Sequence, residues 1–482
     1  MDQSYFYWFK IWIVIVQYFH MISFMWTPNV SRFTARKQLA LVDALRDDIR
    51  SGQLAPGAKL PTQRDLARLT GVAVGTVARA YRDAGIEGLI RSTVGRGSFV
   101  ARQSETFLQA TNAAAKGQIL EFRVDYPLQA LNPPLGPVLA EIAAEDGQHL
   151  LNYTSHKGDV AYRRAGVAWL RMCGVEREPD DLVITAGAQH AITVCLSSIA
   201  QAGQVVLAEE LSYPGLKEAA DMLGISLVGV PMDDDGIIPD ALETLMYEYR
   251  NAVALYTCPT IHNPTTVLTP QHRREQIAAL IARHGLMIIE DDIQRLCLAD
   301  APDAYAQLLP ERTFYICSLS KMVCGGLRVA YLVPPQARVR VVLRRILATN
   351  WITAPLMAEI AKRWIEDGTA EATMIARRNE ARRRQTIATE ILCGHQVKYQ
   401  ATNLYGWIEL PPGWTSVEFV AAAMDAGVAI LGDATFKAGA GSVKPGVRYC
   451  LGSAEDHQQI REGLNIIATI LKQGPGYCDA VL

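Results

Sequence analysis

The sequence predicts an α/β protein, a winged helix-turn-helix in front of a larger body built on a largely parallel sheet. Apolar runs at Val183-Ile184-Thr185, Val205-Val206-Leu207, Val253-Ala254-Leu255-Tyr256, Met287-Ile288-Ile289 and Phe314-Tyr315-Ile316 alternate with longer helical patterns. Strands alternate in this way when helices carry the chain back between parallel neighbours. Upstream, two short helical patterns meet at a glycine and lead into two short strand-like runs. Charge separates the two regions: residues 31–102 hold 13 Lys/Arg against 6 Asp/Glu, a balance of +7, which leaves −9 elsewhere in a chain of net charge −2. A basic module on an acidic body points to a local polyanion contact.

At 482 residues, half of them hydrophobic and a fifth charged, the composition is globular and excludes long disorder. Nine cysteines, without a Cys-x-x-Cys pair or zinc spacing, fit free thiols in a reducing cytoplasm and no metal site. Residues 1–30 form an apolar extension. Its run from Tyr5 to Trp26 has the length of a membrane span of roughly 20 residues, but Lys10, Gln17 and His20 interrupt it. We read translation as starting at Met25, with a membrane anchor as the alternative.

The DNA-binding module is expected over 31–102. Leu41, Leu45 and Ile49 recur one helical turn apart between Thr34 and Arg50. Thr62-Gln63-Arg64-Asp65 opens a second helix with Leu66 and Leu69 facing inward, Gly71 breaks it, and Val74 to Ala84 forms a third. Two short helices around a glycine turn place the second in the major groove, and Leu89 to Val100 folds back as a hairpin wing around Val94-Gly95-Arg96-Gly97. Arg64, Thr76, Arg79 and Arg96 are the expected contacts to double-stranded DNA, with phosphates supplying affinity and the recognition helix specificity. Four segments resemble the GntR-type winged helix: Asp48 to Gly57, Leu60-Pro61-Thr62-Gln63-Arg64-Asp65-Leu66-Ala67, Gly75-Thr76-Val77-Ala78-Arg79-Ala80-Tyr81 and Gly95-Arg96-Gly97-Ser98-Phe99-Val100.

A polar, alanine-rich linker over 103–118 precedes the body. Chemistry then gathers at strand ends, where such sheets build their sites. Ser318-Leu319-Ser320-Lys321 follows one strand and Glu290-Asp291-Asp292 ends another. A lysine that takes the aldehyde of pyridoxal phosphate needs a distant carboxylate to keep the pyridine nitrogen protonated, because that proton makes the ring an electron sink. Ala188 and Gln189, after Gly187, open a helix whose N–H groups suit a phosphate. Arg328, Ser318 and Ser320 can clamp the same group. The Asn263 amide can donate to the ring oxygen. Tyr213 can stack on the ring, though it equally fits a half-buried loop tyrosine. Arg448 can fork onto a ligand carboxylate, but taken alone it reads as a core-edge arginine.

Together these segments resemble class I aminotransferases of the fold-type I pyridoxal-phosphate superfamily, over roughly residues 120–470. With the preceding module they resemble the MocR subfamily of GntR-type regulators. The resemblance implies a large mixed, mostly parallel sheet with helices on both faces (119–365) and a small C-terminal α+β domain (366–482). It implies Lys321 as the cofactor lysine, Asp291 as the pyridinium partner, Asn263 on the ring oxygen and Tyr213 stacked. Ser318, Ser320 and Arg328 would hold phosphate and Arg448 a ligand carboxylate. In a head-to-tail homodimer Tyr153 would reach the neighbour's cofactor. The chain departs from the family where a ring-oxygen tyrosine is usual, carrying Ile293 and Gln294. It also carries Cys324-Gly325 before Gly326-Leu327-Arg328, and Thr266 after Asn263-Pro264-Thr265. Two functions fit: a regulator that senses pyridoxal phosphate or an amino-containing effector, or an active aminotransferase with an accessory DNA-binding module.

Overall fold

The computed structural model describes residues 26–28, 37–50, 53–54, 58–86, 89–93, 97–100, 119–145, 147–439, 441 and 443–474. The extension up to residue 25, the linker 103–118 and the wing tip with Arg96 lie outside the described residues. The chain divides into two compact units, Met1–Ala115 and Lys116–Leu482.

In the first unit, helices Lys37–Arg50, Gln63–Thr70 and Val74–Ile86 enclose a core of Leu41, Leu45, Leu66, Val77, Tyr81 and Ala84. The middle helix is short because both ends are fixed. The Thr62 hydroxyl accepts the Asp65 N–H at its start, and Gly71 closes it at φ 65°, a left-handed conformation that glycine adopts without strain. Leu69 was expected inside but is 42% exposed, since the eight-residue helix buries only Leu66 and Ala67. The Tyr81 hydroxyl donates to the Pro61 carbonyl (2.8 Å), tying the third helix to the entrance of the second. Ile90–Thr93 and Gly97–Val100 pair antiparallel, and Leu60 N–H and Val100 N–H add bonds to Ser98 and Ala58 carbonyls. Trp26 packs into the same core and donates its indole N–H to Asp48 (2.7 Å).

The second unit is built on a seven-stranded sheet. Its spatial order is Val183–Thr185, Ala330–Val333, Thr313–Ser318, Met287–Asp291, Ala252–Thr257, Val205–Glu209, Ser226–Val230. Ala330–Val333 runs antiparallel to both neighbours and the remaining pairs are parallel. The central strands are buried on both faces, so they read as continuous apolar runs. Phe314 and Ile316 join the core under Ala188–Ile199, whereas Tyr315 and Cys317 join the core with Val160–Met172 and Pro355–Glu366, as the two-residue strand period requires. This is the fold-type I aminotransferase architecture.

A second, four-stranded sheet runs Val397–Tyr399, Tyr405–Glu409, Gly446–Cys450, Leu431–Gly432, with helices Thr369–Ile391, Ser416–Asp425 and His457–Gln473 packed around it. The start of the body departs from the expected 119–365 assignment. Leu120–Glu121 pairs with Val428–Ala429 and Phe122 is buried in the C-terminal core. No helix among the described residues is long and apolar enough to cross a membrane.

Candidate cofactor site and DNA-binding face

The three acids at the end of Met287–Asp291 separate into three environments. The Glu290 carboxylate accepts the N–H groups of Tyr305 and Ala306 (both 3.0 Å), with Arg274 at 3.8 Å. Asp292 accepts the Tyr315 hydroxyl (3.0 Å) and lies 3.5 Å from Arg295. Asp291 Oδ2 accepts the Tyr256 hydroxyl (2.6 Å), and its Oδ1 is buried with no hydrogen-bond partner among the described residues. Burial pushes the Asp291 carboxyl up to about 6, with the Tyr256 hydroxyl and the Ile293 N–H pulling against it.

Lys321 lies in the return loop between the antiparallel strands Thr313–Ser318 and Ala330–Val333, and the same loop ends at Arg328. Its Nζ is 2.7 Å from the Asp125 carboxylate and donates to the Asp125 carbonyl (2.5 Å). Gln294 donates to the same carboxylate (2.9 Å). Burial raises the Asp125 pKa, but the Lys321 ammonium outweighs it together with Arg448 and Gln294, so the carboxyl stays below its ordinary range.

At the opposite end, Gly187 (φ 85°) precedes helix Ala188–Ile199, and a Cβ there would run into the Arg328 guanidinium. Arg328 is itself left-handed (φ 52°), a strained conformation that turns it back over the helix N-terminus. Ser318 Oγ accepts the Ser320 N–H (2.9 Å), and Ser320 Oγ is buried without a partner among the described residues. Gln189 donates to the Gly215 carbonyl (2.8 Å), and its own carbonyl oxygen is likewise unpartnered.

Tyr213 stands at the start of helix Pro214–Met222. Burial pushes its hydroxyl up to about 12, and the Asp291 charge adds to the shift, so the ring is in electrostatic reach of that carboxylate. Asn263 Oδ1 accepts from Arg448 Nη1 (2.6 Å), which leaves the amide N–H₂ as Asn263's donor end. Arg448 Nη2 donates to the Arg123 carbonyl (2.7 Å), and its guanidinium carbon lies 4.8 Å from the Phe436 ring centre. Each terminal nitrogen of the arginine expected to fork onto a ligand carboxylate thus already makes one hydrogen bond, while its Nε is buried with no partner among the described residues. Tyr153 does not join these groups within one chain; it is 83% exposed beside Trp351, ring centres 6.2 Å apart.

The sequence reading missed Tyr256, Asp125 and Arg377. Arg377 lines the cavity that also holds Lys321 and Asp125, and donates to Asn132 and the Val323 carbonyl (2.8 and 2.7 Å). Burial pushes it down to about 10. Tyr256 is read correctly as strand, but no local pattern says that its hydroxyl meets a carboxylate on the next strand.

These residues fit pyridoxal phosphate. The orphaned Asp291 oxygen suits a protonated ring nitrogen, and Lys321 supplies the amine. The Ser320 hydroxyl, Arg328 and the helix N-terminus provide donors at the phosphate end. In the first unit, Arg64 and Arg79 are exposed on the second and third helices and Thr76 is half-buried. The Arg79 Nε reaches back to the Gly75 carbonyl (3.3 Å).

Fold and site define a helix-turn-helix module followed by an aminotransferase-like body whose residues fit pyridoxal phosphate. The aminotransferase class I and II family model matches residues 125–467, and the model of bacterial regulatory proteins of the gntR family matches residues 37–100. The chain belongs to the aminotransferase class I and II family and carries a gntR-type module in front of that body. It is 27% identical over 447 residues to the HTH-type transcriptional regulator YdeF of Bacillus subtilis, covering 92% of this chain and 96% of that one. It is also 27% identical over 384 residues to the 2-aminoadipate transaminase of Thermus thermophilus, covering 77% and 94%. The body superposes on the Pyrococcus horikoshii kynurenine aminotransferase with a TM-score of 0.70 at 22% identity, covering 76% of this chain and 94% of that one.

Proposed function

We propose that the protein controls transcription by binding an operator through its N-terminal unit and sensing an amino-containing effector at the cofactor site of its body. Lys321 would hold the aldehyde carbon, Asp291 the proton on the ring nitrogen, Asn263 the ring oxygen and Tyr213 the ring face. Ser318, Ser320, Arg328, Ala188 and Gln189 would hold the phosphate. The bound cofactor supplies an electrophilic carbon to which a ligand amine can attach.

The observation that carries this reading is the unpartnered Asp291 oxygen on a chain that also folds a helix-turn-helix. A ligand amine would compete with Lys321 for that carbon, which would free the Lys321 side chain and let the body settle into a second arrangement. Tyr153, exposed in the single chain, suits a head-to-tail homodimer in the cytoplasm whose two DNA modules read two half-sites. Operator affinity measured with and without cofactor and amine tests the proposal, and affinity indifferent to both overturns it. The likeness to 2-aminoadipate transaminase favours a second reading, an active aminotransferase. Sustained turnover of an amino acid with a 2-oxo acid would support it.

A further inference from the structure

We propose that Asp125 sets the class of amine the site accepts: a ligand whose amine-bearing carbon carries no carboxylate. The inference deepens the sensing role and rests on it. Three contacts carry it. The Asp125 carboxylate lies 2.7 Å from Lys321 Nζ, the atom for which a ligand amine must exchange. Gln294 donates to the same Asp125 oxygen (2.9 Å), and the side chain is 10% exposed, so water screens it little. Of the two arginines near the site, Arg448 has one terminal nitrogen on Asn263 and the other on the Arg123 carbonyl, while its charge already stabilises Asp125, and Arg377 keeps Nε and Nη1 unpartnered among the described residues.

A carboxylate on the amine-bearing carbon begins two bonds from the amine nitrogen. A ligand amine at the Lys321 Nζ position would bring such a carboxylate to within roughly a few ångströms of Asp125, and like charges in a buried site repel. An amine-bearing carbon without a carboxylate avoids that repulsion, and a ligand with a second ammonium gains an ion pair. The plainer role for Asp125, a counter-ion for Lys321 when no cofactor is bound, predicts no such selection.

n-Butylamine and L-norvaline differ only in the carboxylate, which makes them the test. The holo-protein is titrated with each, and with 1,4-diaminobutane, while the cofactor's visible spectrum and the heat of binding are followed. Butylamine and the diamine are expected to act at concentrations at least tenfold below norvaline. Asp125→Asn should shrink the butylamine-to-norvaline ratio at least tenfold; comparing ratios cancels the amines' own basicity. Equal or better binding of norvaline by the wild type overturns the inference, as does an unchanged ratio in the variant. If Asp125→Asn does not fold, the wild-type pair alone decides. A wild type that takes up no cofactor overturns the sensing role along with the inference, whereas one that takes up cofactor and prefers norvaline overturns the inference alone.

Discussion

Tyr256 donates its hydroxyl to Asp291 Oδ2 across 2.6 Å, from the strand neighbouring the one that Asp291 ends. The bond fixes one carboxylate oxygen and leaves the other, buried and unpartnered, for the cofactor ring. It also favours the ionised carboxylate against burial. Tyr256→Phe should therefore weaken cofactor retention by about tenfold, the size expected for a hydrogen bond to a charged group. Equilibrium dialysis with absorbance readout checks it.

Asp291 itself carries a pH signature. In the cofactor-free protein its carboxyl is raised from 3.8 to about 6 by burial. The folded state thus binds this proton more tightly than the unfolded chain. The stability it contributes is present below pH 4 and is lost as pH rises through 6, amounting to about 3 kcal/mol. Asp291→Asn should raise the melting temperature of the cofactor-free protein at pH 8 relative to wild type and leave it little changed at pH 4. At both pH values the variant should fail to hold the cofactor in its wild-type spectral form. Scanning calorimetry of the two proteins across this range reads the difference.

Trp26 anchors the start of the N-terminal unit, buried against Leu41 and Leu45 and bonded to Asp48. Trp26→Ala leaves a cavity and removes one hydrogen bond to Asp48, with an expected cost of about 3–5 kcal/mol to that unit. Thermal unfolding followed by loss of operator binding should show the N-terminal transition falling well below that of the wild type.

On the DNA face, Arg79 is exposed on the recognition helix, with only its Nε held by the Gly75 carbonyl. If it contacts phosphate, Arg79→Ala should weaken all sequences alike and lower the slope of log affinity against log salt by about 1. Fluorescence anisotropy at several salt concentrations, on operator and scrambled DNA, measures both.

Much of this was legible from local pattern. The five strands read from the sequence all lie in the central sheet, because strands buried on both faces leave continuous apolar runs. Ala330–Val333 and Ser226–Val230 escaped notice, as did the short C-terminal strands, which are two to five residues long. The pairing of Leu120–Glu121 with Val428–Ala429 spans some three hundred residues and has no local signature. Of the residues named from motif context, Asp291 ends a strand, Tyr213, Asn263, Ser320 and Lys321 stand in loops, Ala188 and Gln189 open a helix, and Arg448 lies within the strand Gly446–Cys450. Asp125 was missed because its partner Lys321 lies 196 positions away. The acceptors of Arg448, Asn263 and the Arg123 carbonyl, come together only in the fold and could not be read beside it in the sequence.

The most direct test of sensing through the cofactor compares operator affinity of wild type and Lys321→Ala, each with pyridoxal phosphate, with and without n-butylamine. Lys321 lies in the body and Arg64 and Arg79 in the other unit. The account predicts that the variant loses the wild-type visible band, binds operator within about twofold of the wild type without amine, and no longer responds to amine, whereas wild-type affinity shifts. Wild-type affinity that ignores both cofactor and amine, alongside many turnovers of an amino acid with a 2-oxo acid, would contradict it.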